Sequence, residues 1–98
     1  PSDAPTNVTV VTASITYFRV TWLGITFAFL SGYDVIYWEV NDTSSEKILR
    51  VNSTNENFAD VTGLNPLTDY TVQVAAVGRD NETGPRSLSV NITTLGGL

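Results

Sequence analysis

The stretch "LNPLTDYTVQV", residues 64–74, joins a turn to a strand. Asn65-Pro66 interrupts regular structure, and Thr68-Asp69 are turn formers whose side chains bond nearby backbone. From Tyr70 onward the pattern alternates: Tyr70, Val72 and Val74 are apolar, Thr71 and Gln73 polar. A tyrosine at such a seam needs a buried place for its ring and a partner for its hydroxyl. The rest of the chain has to supply both.

Alternating segments recur on either side of the seam. They are "NVTVVT" (7–12), "YFRVTW" (17–22), "GYDVIYWEV" (32–40), "KILRV" (47–51), "FADVTGL" (58–64), "DYTVQVAAV" (69–77) and "SLSVNITTL" (87–95). Short strands at this spacing, with turn residues between them and no helical periodicity, predict an all-β, seven-stranded antiparallel Greek-key sandwich of the immunoglobulin-like kind. Seven strands imply two sheets, because one open sheet would leave its apolar face in water. The register turns Phe18, Val20 and Trp22 inward on one strand and Tyr33, Val35 and Tyr37 on another. Leu30, Val61, Leu64, Val72, Val74 and Ile92 complete the expected core. Tyr70 then caps this core, and its hydroxyl reaches back to a backbone group near Leu64, the tyrosine-corner arrangement of Greek-key sandwiches. Trp22, Leu64, Pro66 and Tyr70 are thus expected to be structural.

Composition limits the function. The chain has 98 residues, near the common size of one domain, and 42% are hydrophobic. Five Lys and Arg against ten Asp and Glu give a net charge of −5, which disfavours nucleic acid and anionic membrane surfaces as partners. The longest apolar run, Trp22–Leu30, is too short to span a bilayer. Without Cys or His there is no thiolate nucleophile, no Cys/His zinc site and no Ser-His-Asp triad. No pair of carboxylates has an acid/base setting, so neither catalysis nor a cofactor or metal is expected. "EVNDT" (39–43) reads as a hydrated loop. The chain lacks an initiator Met and a signal peptide, and Pro1 reads as a cut in a longer chain. Residues 1–5 and 95–98 read as linker ends of a single domain, 1–98.

Five N-x-[ST] sequons are present, at Asn7, Asn41, Asn52, Asn81 and Asn91. Eight Asn with 22 Ser and Thr would give about two by chance, so the excess points to a secreted or cell-surface protein. Asn41, Asn52 and Asn81 fall in loops. Asn7 and Asn91 fall at outward positions on edge strands, where a glycan would block edge-to-edge pairing.

The chain resembles a fibronectin type III domain over nearly its whole length. The resemblance rests on "APTNVTV", Trp22, "GYDVIY", "TGLNPLTDYTVQVAAV", "GPRS" and a close at Thr94. The Leu-x-Pro-x-Thr-x-Tyr-x-Val-x-Val spacing is its most specific part. "GYDVIYW" and "NITTL" also resemble such domains in neural adhesion molecules of the contactin and L1 type and in receptor tyrosine phosphatases. The loop "LGITFAFLSG" departs from the family in lacking prolines and being apolar, and Trp38 stands where a small or polar residue is usual. "GRDNETGPR" contains Gly-Arg-Asp and not Arg-Gly-Asp, so integrin binding is not implied.

The resemblance implies a non-catalytic extracellular interaction and spacer module of a multidomain adhesion protein or receptor. Its partners would be proteins and the neighbouring domains of the same chain, with no nucleic acid and no direct membrane insertion. The alternatives are an intracellular module of a muscle-type protein and a carbohydrate-binding sandwich. Two contact surfaces are expected. Ile25, Phe27 and Phe29 would either lid the end of the sandwich or form a binding tip with loop 78–86. Ile36 and Trp38 alternate outward beside Thr71, Gln73, Ala75 and Val77, giving a partly apolar face that Lys47 or Arg50 could cover.

Overall fold

The computed structural model describes residues 3–97. Its elements are β1 (Thr6–Ala13), β2 (Phe18–Leu23), β3 (Leu30–Glu39), β4 (Asp42–Val51), β5 (Phe58–Val61), β6 (Asp69–Gly78), β7 (Thr83–Arg86) and β8 (Val90–Thr93). They form two antiparallel sheets, one ordered β1-β2-β5 and the other β4-β3-β6-β7 with β8 also on β6. Among the described residues the sandwich is therefore all-β as expected, with eight strands in place of seven.

The extra strand comes from the segment read as the loop "GRDNETGPR". Thr83 and Arg86 pair with Val77 and Ala75 on β6, and β8 pairs with the same strand lower down. The last strand is thus one run broken in the middle. At the break Ser87 N–H donates to the Val74 carbonyl at 2.8 Å, and Ser87 Oγ accepts from Val74 N–H at 2.9 Å. A side chain replaces one ladder bond, so the chain kinks without stranding the backbone of β6. Pro85, which has no N–H to give a ladder, lies just before the kink.

Alternation decides what is buried. Phe18, Val20 and Trp22 from β2 meet Tyr33 and Val35 from β3 and Val72, Val74 and Ala76 from β6, all within one cluster. Leu30, Val51, Val61 and Leu64 close it, and Tyr37 and Ile92 pack on its margin. Trp22 and Tyr33 pack at 5.4 Å between ring centroids. Trp22 is 4% exposed, yet its Nε1 makes no hydrogen bond among the described residues. β4 runs close to β3 at Gly32, where a Cβ would collide with the Val51 carbonyl oxygen, so only glycine fits.

The corner answers both needs of Tyr70. Its ring lies in the core, tilted 61° to the Phe18 ring with the centroids 6.2 Å apart. Its hydroxyl accepts the Asn65 N–H at 2.8 Å. The Asn65 carbonyl is taken by the hydroxyl of Thr94 at 2.6 Å, and Thr94 Oγ1 in turn accepts the Thr68 N–H at 3.0 Å. Two side chains, Tyr70 on β6 and Thr94 just past β8, thereby satisfy backbone groups of a turn that includes Leu67 at φ 48°. Pro66 is exposed and acts through its fixed φ. The turn also fastens the end of the chain: Leu67 N–H donates to the Leu95 carbonyl at 3.0 Å, and Leu95 N–H to the Ser14 carbonyl at 2.9 Å. Pro5, at the far end, is fully buried.

Candidate functional site

The outer face of the five-stranded sheet carries Asp34, Ile36 and Trp38 from β3, opposite Ala75, Gln73 and Thr71 on β6. The alternation is as expected, but the face is not the open apolar surface that alternation suggests. Ile36 is only 2% exposed, and Ala75 and Val77 are buried as well. Charged side chains roof this area. Arg50 on β4 grips Asp34 with Nε at 2.7 Å and Nη2 at 3.0 Å, and its Nη1 donates to Asn81 Oδ1. Arg86 on β7 reaches Glu46 on β4 at 3.0 Å and Gln73 at 3.4 Å. β3 and β6 lie between those two strands, so the Arg86 and Glu46 side chains meet above the middle of the sheet, where Ile36 sits. Ile36 is therefore withdrawn as a contact residue. Asp34, buried and paired, was missed as a partner for Arg50. Neither Arg50 nor Lys47 is found over the Trp38 ring; among the described residues the cation–π contact is Arg19 over Phe58 at 4.7 Å.

Trp38 remains half-buried at the edge of the roof. Beyond it lies a strip of hydroxyls and amides. Gln73 Nε2 donates to Ser89 Oγ at 3.1 Å, Thr71 Oγ1 to Asn91 Oδ1 at 3.0 Å, and Thr93 Oγ1 to Asp69 Oδ1. A shallow depression of about 340 Å³ opens there, lined by Val40, Asp69, Asn91, Ile92 and Thr93.

The apolar loop between β2 and β3 divides its side chains. Leu30 turns into the core, and Ile25 and Phe27 pack on the core's margin as a lid. Phe29 is 62% exposed, with the Phe27 ring at 5.9 Å. The loop is tied to the β6–β7 turn, because Arg79 N–H donates to the Phe29 carbonyl at 2.7 Å. The two loops therefore share one tip, on which Phe29 is the exposed aromatic.

All five sequon asparagines are exposed. Asn41 and Asn81 lie in the β3–β4 and β6–β7 turns, and Asn52 follows β4 directly. Asn7 sits in β1 at a register shift, and Asn91 in β8. Three of them have positive φ: Asn7 at 52°, Asn41 at 68° and Asn81 at 67°. Asparagine tolerates that region better than most residues, so backbone geometry alone accounts for its choice at those three positions. It does not account for Asn52 or Asn91.

The outer face of the smaller sheet carries a pair that sequence reasoning did not find. Arg19 Nε and Nη2 meet the two oxygens of Asp60 at 2.8 and 3.0 Å. This bidentate bond, together with the attraction of the two charges, holds the Asp60 carboxyl below its ordinary range although the pair is solvated. Among the described residues no three acidic side chains come together to hold a metal ion.

Comparison with known proteins follows the same outline. The chain is 35% identical to human Contactin-2 over 98 residues and 36% identical to mouse Contactin-6 over 101. These alignments cover 97% and 96% of the chain but only 9% of either relative's length. The crystal structure of the chicken CNTN1 FN1-FN3 domains superposes on 97% of the chain with a TM-score of 0.89 at 29% identity, over 33% of that structure. The solution structure of the fn3 domain of human contactin 1 matches all of it, with a TM-score of 0.87 at 28% identity over 82% of its own length. The model of the Fibronectin type III domain fits residues 3–93, from before the first strand to the end of the last. With its corner tyrosine, its paired sheets and this match, the chain belongs to the fibronectin type III family.

Proposed function

We infer that the chain is a non-catalytic, extracellular interaction and spacer module of a multidomain cell-adhesion protein or receptor, working through protein–protein contacts. The observation that carries this reading is the match along nearly the whole chain to a 9% share of the contactin relatives. Similarity of that form suits one unit of a long array. Positive φ explains an asparagine at three of the five sequons but not the Thr that follows two residues after each of them, and that completed pattern at five exposed positions supports the extracellular part. The contact surface is the loop tip with Phe29 at its summit, adjoining the β6–β7 turn. Secretion from a mammalian cell line, followed by intact-mass measurement, tests the compartment. At least one glycan is expected, at Asn41, Asn52, Asn81 or Asn91. Five bare sites would favour the intracellular alternative. Phe29→Ser in the full-length parent tests the surface, since it should weaken adhesion and leave thermal unfolding unchanged.

A further inference from the structure

We propose that Asn91 carries an N-linked oligosaccharide whose first sugar lies across Thr71 and stacks on Trp38. The inference rests on the extracellular reading and adds a specific docking site for the domain's own glycan.

Three observations lead to it. First, the register places Trp38, Thr71 and Asn91 in one row across β3, β6 and β8. All three stand on the outer face, since the neighbours Tyr37, Tyr70, Val72 and Ile92 belong to the core side. Two strand spacings separate Asn91 from Trp38, roughly 10 Å, and the residue between them is a small, 9% exposed threonine. Second, the Asn91 amide is already oriented. Its oxygen accepts from Thr71 and therefore points along the row toward Trp38. In a planar trans secondary amide the new substituent on nitrogen lies on the same side as the oxygen. A sugar joined to Nδ2 is thereby directed over Thr71. Third, the surroundings suit a sugar. Hydroxyl and amide groups of Gln73, Ser89 and Thr93 flank the row, and the half-buried indole stands at its end as an apolar wall. Ile36 is buried under the roof; Tyr37 pairs with Lys47, so Glu46, the partner of Arg86, borders Trp38 from β4, on the side away from Asn91, and the indole stays half-buried. Asn91 also lies in a regular strand, without the positive φ that explains Asn7, Asn41 and Asn81.

The modification balances as an ordinary transfer from a lipid-diphosphate-linked oligosaccharide. The Nδ2–C1 bond forms, the bond from C1 to the phosphate oxygen breaks, the lipid diphosphate leaves, and the amide nitrogen gives up one proton.

The test isolates Asn91. Thr9→Ala, Thr43→Ala, Thr54→Ala and Thr83→Ala silence the other sequons while leaving their asparagines in place. This chain is made in secretory mammalian cells and in bacteria, with Trp38, Trp38→Phe or Trp38→Ala. Glycosylation at Asn91, trimmed to the first sugar, should raise Tm by about 4 °C with Trp38 present, less with Phe and not at all with Ala. Nuclear Overhauser contacts between the indole and sugar protons should be present in the Trp38 form. An equal rise in the Ala variant refutes the stacking. Absence of those contacts refutes it even if the Ala variant fails to fold. A bare Asn91, with glycans found at other sequons of the unaltered chain, overturns this proposal alone; five bare sequons overturn the extracellular reading and this proposal with it.

Discussion

Tyr70→Phe is the sharpest test of the corner, because it removes one oxygen and leaves the packing intact. The ring keeps its place against Phe18, so no cavity term arises. What disappears is the 2.8 Å bond from Asn65 N–H. A typical bond of this kind is worth about 1 kcal/mol net, and an orphaned buried N–H costs up to about 3 kcal/mol. The Asn65 side chain is exposed while its N–H lies partly under the phenol, so water can reach the group only in part. The expected loss is about 1–2 kcal/mol, a fall in Tm of about 4–10 °C for a domain of this size. Urea unfolding at neutral pH should show a lower midpoint and an unchanged slope. Thr94→Val makes the comparison stronger. Thr94 takes the carbonyl of the same Asn65, so the two variants should be non-additive by at least about 0.5 kcal/mol in a double-mutant cycle. A Tyr70→Phe domain as stable as the parent would refute the claim that the hydroxyl holds the turn.

Trp22→Ala should cost about 3–5 kcal/mol and leave the domain close to unfolded, whereas Trp22→Phe should cost far less, because it also removes the unpartnered Nε1–H; circular dichroism melts separate the two. Arg50→Ala strands the buried Asp34 carboxylate and should cost about 3–5 kcal/mol, while the double change Asp34→Leu with Arg50→Leu should recover much of that loss in urea unfolding. Burial, with the Tyr70 phenol nearby as a smaller influence, pushes the Tyr37 phenol above its ordinary 10.0. Its stabilising effect is full below the unfolded value and is lost as pH rises through the folded one; melts across the alkaline range should therefore fall less steeply in Tyr37→Phe.

The segment around Tyr70 was readable because period-2 alternation and a turn of Asn, Pro, Thr and Asp are local signals. The core followed from it, since one inward residue on each strand sets the rest. The outer face was not readable in the same way. Ile36 alternates outward and would be exposed on a bare sheet; its cover comes from Arg86 and Glu46, 40 residues apart in sequence and joined only once the sheet has formed. Arg19 and Asp60 are separated by 41 residues and escaped notice for the same reason. β7 was hidden because Thr83–Arg86 contains Gly and Pro, which usually argue against a strand, and pairing with β6 overrides that local preference. The sequons were visible as motifs, but only the backbone showed that three of their asparagines also serve positive φ.

The two ends of the fold have a mechanical consequence. The start of β1 lies beside Ser87–Val90, and Leu95, past the end of β8, is bonded to Ser14, past the end of β1. β1 and β8 therefore run side by side in the same direction, with Pro5 at one end of the sandwich and Leu95 at the other. Tension drawn between those residues pulls each strand along its own length. The bonds of β1 to β2 and of β8 to β6 lie across that direction, so they are loaded together in shear and not peeled one at a time. Rupture under load is a matter of unfolding rate, and the corner bonds at Asn65, Thr68 and Leu67 act as a clasp where the outgoing chain takes the pull. Single-molecule pulling of Thr94→Val should show rupture at lower force than the parent, and equal rupture forces would show that the clasp bears no load.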